Sequence, residues 1–229
     1  MELFDLSNDV IRQIMIFYID DSKVNQNKIK IIGSQLLNDI SNDIYIEKLQ
    51  FFDTHKKKYI MDMLIDTEYV SRVDEYGYTD LMVVCIHEMM EVALKLLNVD
   101  CKPDQVNINE QTALIYACNM NMPKVALKLL DLDCKPDHVN KSGDTALMSA
   151  CENSMTEVAL KLLDLDCNPN HVDIIGYTAL LYACDKNMPE VALKILDQKC
   201  VQHYSQALNI ARNNNMYKVV AKIEYLISK

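Results

Sequence analysis

Thr112-Ala-Leu-Ile-Tyr-Ala-Cys118 and Val125-Ala-Leu-Lys-Leu-Leu-Asp-Leu-Asp-Cys134 decide the fold, because both return 33 residues later. They reappear as Thr145-Ala-Leu-Met-Ser-Ala-Cys151 and Val158-Ala-Leu-Lys-Leu-Leu-Asp-Leu-Asp-Cys167. Between 107–139 and 140–172, 20 of 33 positions are identical. A fixed period of this length marks stacked units, each too small to bury its hydrophobic face except against its neighbours. The expected architecture is therefore an all-α helical solenoid, and its expected mode of action is recognition over an extended surface.

Extending the register outward gives units at 74–106, 107–139, 140–172 and 173–202. Each opens with Asp or Asn (Asp74, Asn107, Asn140, Asp173), followed by a turn that holds Gly77, Gly143 or Gly176, with Glu110 in place of glycine in the second unit. Thr79, Thr112, Thr145 and Thr178 come next, where a hydroxyl can cap a helix. Leu81, Leu114, Leu147 and Leu180 precede Cys85, Cys118, Cys151 and Cys184 by four residues, a spacing that puts both on one buried helix face. Pro123 and Pro189 suit the first turn of a second helix, where no amide proton is required. That helix carries the hexad Val-Ala-Leu-Lys-Leu-Leu at 92–97, 125–130 and 158–163. It ends before Pro103, Pro136 and Pro169, which start an extended connection. Residues 203–229 fit a fifth, capping helix pair with added polar positions, and 46–73 a degenerate first repeat.

A turn, a capping threonine and two antiparallel helices on a 33-residue period resemble ankyrin repeats. The family's Thr-Pro-Leu-His motif stands here as Thr-Ala-Leu-Ile, Thr-Ala-Leu-Met and Thr-Ala-Leu-Leu. Its Gly-Ala-Asp-Val-Asn segment stands as Asp-Cys-Lys-Pro-Asp or Asp-Cys-Asn-Pro-Asn. The resemblance covers residues 74–229 and implies a protein-binding module whose target lies on a concave surface made by turn tips and first helices.

Composition narrows the partners further. The net charge of −10 disfavours nucleic acid and anionic membranes, both of which call for Lys and Arg. No apolar run approaches the length of about 18 residues needed to cross a bilayer. Eight cysteines fall at 85, 101, 118, 134, 151, 167, 184 and 200, in two columns of 33-residue period. Packed helices lie about 10 Å apart, whereas a disulfide needs Cα atoms within about 7 Å. The cysteines are therefore expected to be reduced, buried packing residues in a cytoplasmic, reducing compartment. His138 and His171 share one repeat position and are one repeat apart, too far for a common zinc ion. No nucleotide-binding loop or nucleophile motif is present, so no catalytic residue, metal or cofactor is expected, and the chain is expected to be a monomer rather than an enzyme.

The first 45 residues break the period. Leu6, Val10, Ile11, Ile14, Met15 and Tyr18 form one apolar helical stripe, with Ser7 placed to cap it. Leu6-Ser-Asn-Asp-Val-Ile, a short linker and a second apolar stretch with Gly33-Ser34 are similar to an F-box. That motif is a helical hook that docks on the Skp-type adaptor of cullin–RING ubiquitin ligases. Ser7 stands where the family has proline, and the chain has no Trp. The resemblance implies a ligase substrate receptor, of the kind that large DNA viruses and intracellular bacteria direct at host proteins, with the stripe as its adaptor-binding surface. A plain helical cap on the solenoid is the other reading of these residues, which would leave the chain a scaffold or competitive inhibitor.

Target binding is expected where the repeats disagree. At the turn tips these positions are Tyr76 and Tyr78, Ile108, Asn109 and Gln111, Lys141 and Asp144, and Ile174, Ile175 and Tyr177. Near the ends of the first helices they are Ile86, His87, Asn119, Met120, Glu152 and Asp185. Tyrosine and isoleucine at such tips are the side chains that anchor partners.

Overall fold

The computed structural model describes residue 73 and residues 76–98, 101–132, 134–198 and 203–229. Ten helices occur among the described residues. They are α1 (Asp80–Ile86), α2 (Met90–Leu96), α3 (Ala113–Asn119), α4 (Pro123–Leu130), α5 (Ala146–Glu152), α6 (Thr156–Asp164), α7 (Ala179–Asp185), α8 (Pro189–Asp197), α9 (Tyr204–Asn213) and α10 (Tyr217–Ile227). Each odd-numbered helix packs on the even one that follows and on the next odd one, and even helices pack likewise on even ones. Two helical layers result, within one compact unit spanning residues 76–229. This is the all-α repeat solenoid expected from the period.

Local chemistry starts and stops each helix. The hydroxyl oxygens of Thr79, Thr112, Thr145 and Thr178 accept from the backbone N–H three residues on, at 3.2–3.4 Å. Every first helix then ends in the same way. A residue at positive φ follows it (Glu88, Asn121, Ser154, Asn187 or Asn215, φ 50–57°). The next residue, a methionine, donates its N–H back to the carbonyl five positions earlier, as Met122 does to Ala117 at 2.8 Å and Met155 to Ala150 at 2.8 Å. This is the Schellman closure, whose usual hydrophobic partner is here a column of buried methionines (Met89, Met122, Met155, Met188, Met216). Pro123 and Pro189 occupy the first turn of α4 and α8.

The buried core is also columnar. Leu81, Leu114, Leu147 and Leu180 are at most 2 % exposed, and Cys85, Cys118, Cys151 and Cys184 are fully buried. The seven described cysteines are buried and unbridged. Along the outer layer, Lys161 pairs with Asp131 of the preceding repeat at 2.7 Å, Lys194 with Asp164, and Lys222 with Asp197 at 2.6 Å. Such exposed pairs link neighbouring repeats but add little stability singly.

Candidate functional site

The turns that precede the first helices are organised by the residue that opens each unit. Asn107, Asn140 and Asp173 are buried. The Oδ1 of each accepts from the N–H groups two and four residues ahead, at 2.8–3.0 Å. Successive turns are stitched by backbone bonds from Ile108 N to Tyr76 O (2.8 Å), Lys141 N to Asn109 O (3.2 Å) and Ile174 N to Ser142 O (2.9 Å). With both backbone and side chain committed inward, the tips project from a rigid base.

The variable residues sort into three environments on this base. Tyr76, Ile108, Asn109, Lys141, Glu152, Ile174, Ile175 and Asp185 are exposed, with Ile174 at 78 % and Ile175 at 68 %. Ile86, His87, Asn119 and Met120 are half-buried at the ends of the first helices, and Asp144 is half-buried at its turn. Tyr78, Gln111 and Tyr177 are half-buried at the turns. Tyr78 leans on Tyr116 with ring centroids 6.2 Å apart, and Tyr177 on Tyr182 at 5.1 Å. These two tyrosines therefore support the fold as well as the surface. The side-chain oxygen of Gln111 is buried with no hydrogen-bond partner in the protein. The N-terminal stripe expected to meet an adaptor (Leu6, Val10, Ile11, Ile14, Met15 and Tyr18) lies outside the described residues.

One cleft opens on this face, with a volume of about 370 Å³. Met148 and Ser149 of α5 line it, together with Asn119 from the preceding repeat and Tyr182 from the following one. Asp144, Glu152 and Asn153 complete the lining. Three residues expected from the sequence (Asn119, Asp144, Glu152) are thus brought together with Asn153, also a varying helix-end position, and with Met148, Ser149 and Tyr182, which sequence reasoning passed over. The signal for Ser149 and Tyr182 was the column Val83, Tyr116, Ser149, Tyr182, which changes in size and polarity from repeat to repeat between the constant Leu and Cys positions. Asn153 also serves the fold, donating to the carbonyls of Cys118 (3.2 Å) and Ser149 (3.2 Å).

The charged side chains that line the cleft, Asp144 and Glu152, are both acidic. The Tyr182 hydroxyl donates to Asp173 Oδ2 at 2.8 Å. Its ionisation is pushed far up by burial, then by the Asp173 hydrogen bond and charge, with Glu152 and Asp144 adding to the effect. Burial, followed by the hydrogen bond to Tyr78, likewise raises Tyr116. No cluster of metal-ligating side chains occurs among the described residues. His138 Nε2 donates instead to the Glu110 carbonyl at 2.8 Å, tying one repeat to the previous one. No helix among the described residues is long and apolar enough to cross a membrane.

Paired helices on rigid turns, with a variable face and a constant core, define a repeat scaffold for protein recognition. The family model for ankyrin repeats (three copies) matches residues 81–173 and 121–207, more than half of the chain. The chain belongs to the ankyrin-repeat family. None of the curated proteins matches it.

Proposed function

We propose that the chain binds a protein target through its turn tips and first-helix ends, the face that carries Tyr76, Ile108, Glu152, Ile174 and Ile175. The observation that carries this reading is the adjacent pair Ile174 and Ile175, exposed on a turn whose backbone is pinned by Asp173. Apolar side chains held rigidly in solvent lose little entropy on docking and bury area at once. The joint change of Ile174 and Ile175 to Ser should weaken the target by about tenfold or more, leaving the melting temperature unchanged. Calorimetric titration checks it, with Lys161→Ala, on the outer layer, as the neutral control.

The finer reading is a substrate receptor of a cullin–RING ubiquitin ligase, with residues 1–45 as an F-box-like hook and 46–229 as the target-binding solenoid. Its support is the sequence of the N-terminal stripe. Buried, unbridged cysteines suit the reducing cytoplasm in which such ligases act. Titration of a purified Skp-type adaptor against the full chain tests it. Binding should be abolished by joint Leu6→Ala and Ile11→Ala changes that leave the helical signal of the repeats intact. An adaptor that fails to bind the unaltered chain rejects the hook in favour of a plain cap.

A further inference from the structure

At the helix position three residues after Ala113, Ala146 and Ala179, the second and fourth repeats carry tyrosine and the third carries serine. Tyr116 accepts a 2.9 Å bond from Asn107, the residue that opens its own repeat, and Tyr182 donates to the corresponding Asp173. Ser149 is too short for this. Its hydroxyl turns back to the Thr145 carbonyl at 3.1 Å, and Asn140 Nδ2 donates to Asp144 Oδ2 at 3.1 Å instead. A missing aromatic ring is thereby replaced by an open cleft and a carboxylate.

The cleft is chemically distinctive. Asn119, Ser149, Asn153 and Tyr182 give it a mostly polar lining, while Asp144 and Glu152 supply negative charge. No Lys or Arg lines it. Planar guanidinium groups match this set: their five N–H groups, held in a fixed fork, donate to carboxylates and to neighbouring oxygen acceptors. We propose that the Ser149 cleft receives an arginine side chain of a protein partner, making basic segments the ligand class of this face. The inference rests on the protein-binding reading above and adds the chemistry of its central contact.

Two measurements on the full chain test it. In the first, arginine amide and its neutral isostere citrulline amide are titrated while amide NMR signals are followed. Shifts should centre on Asn119, Ser149, Glu152 and Tyr182 for arginine only, and should vanish in Ser149→Tyr. That variant restores the pattern of the flanking repeats and gives Asn140 a phenolic partner, so it should fold with an undiminished melting temperature. Equal shifts from citrulline amide, shifts spread over all acidic surfaces, or shifts that survive in a folded Ser149→Tyr overturn the proposal. If Ser149→Tyr does not fold, Glu152→Gln takes its place, with a loss of at least about threefold expected from removing one carboxylate. In the second, peptides selected on the full chain from a displayed random library should share an arginine whose replacement by citrulline weakens binding about tenfold. Binders without a common arginine overturn the cleft assignment and leave protein recognition standing. A library that yields no binders counts against protein recognition itself, and the arginine amide titration then decides the cleft alone.

Discussion

Gly143 and Gly176 occupy equivalent turns with φ of 81° and 83°, yet a side chain at each would meet different surroundings. A Cβ on Gly143 would lie 2.6 Å from the Val172 carbonyl oxygen and 2.9 Å from Asp173 Cα, both backbone atoms of the next repeat. At Gly176 nothing lies within 4 Å. Gly176→Ala should therefore cost about 1 kcal/mol, the strain of positive φ alone. Gly143→Ala should cost more than about 2 kcal/mol, because the repeats must separate to admit it. Urea denaturation of the two variants gives the comparison, and equal losses would refute the role of close inter-repeat approach. The cysteines test burial in a different way. Burial pushes the Cys85 thiol up to about 12, with the neighbouring Cys101 thiol adding to the shift. A thiol raised on folding is protonated in both states below its unfolded value near 9, so its contribution is fully present there. Above that pH the unfolded chain loses the proton first, and stability falls as pH rises towards 12. The melting temperature should decline over that window, and at pH 8 the seven described thiols should resist alkylation until denaturant is added.

The same contrast between shared frame and local exception runs through the helices. Thr145 caps α5 by accepting from Met148 N at 3.2 Å, and Thr145→Ala should cost about 1 kcal/mol. At the other end of α5, Ser154 sits at φ 57° in the Schellman closure where glycine is favoured. Ser154→Gly should raise stability by up to about 1 kcal/mol, since relief of strain outweighs the added freedom of the unfolded chain. Thermal melting distinguishes a gain from a loss, and a loss would mean that the serine side chain stabilises the turn. Capping threonines, N1 prolines and paired Leu and Cys positions could be read from spacing because each depends on contacts within a few residues. The methionine column was visible as a repeat at Met122, Met155 and Met188, but its role was not. A Schellman closure is recognised in sequence by glycine, and here Asn, Ser or Glu takes the left-handed position. The Asn107, Asn140 and Asp173 column was likewise seen only as a marker of each unit, since its work depends on turn geometry. At the face itself, Tyr78 and Tyr177 looked like free anchors because nothing local showed Tyr116 and Tyr182 beneath them. Changing Tyr76, Tyr78 and Tyr177 together to Ala is thus expected to lower stability as well as binding. Ile174 and Ile175 are the cleaner probes.

For the molecule as a stack, stability is a sum of repeat and nearest-neighbour terms, so it need not be uniform along the chain. The central units are sealed on both sides: α5 buries six of its seven residues, and α6 buries Val158, Ala159, Leu162 and Leu163. The last pair is different. α9 buries only Ala207 and Ala211, and α10 only Val219 and Ile223, within helices of ten and eleven residues. Their neighbour contacts run through α7 and α8, where Asn214 Nδ2 donates to the Cys184 carbonyl at 2.8 Å and Lys222 pairs with Asp197. These thinly buried helices should open at lower cost than the units they pack against. Amide exchange should therefore be fastest in α9 and α10 and slowest in α3 to α6. Ala211→Asp places an unpaired charge in the α9 interface. It should strip protection from α9 and α10 while α3 to α6 remain protected and the Ser149 cleft keeps its ligand. Loss of protection throughout the chain in that variant would show the stack to be a single cooperative unit, with recognition then dependent on the terminal pair.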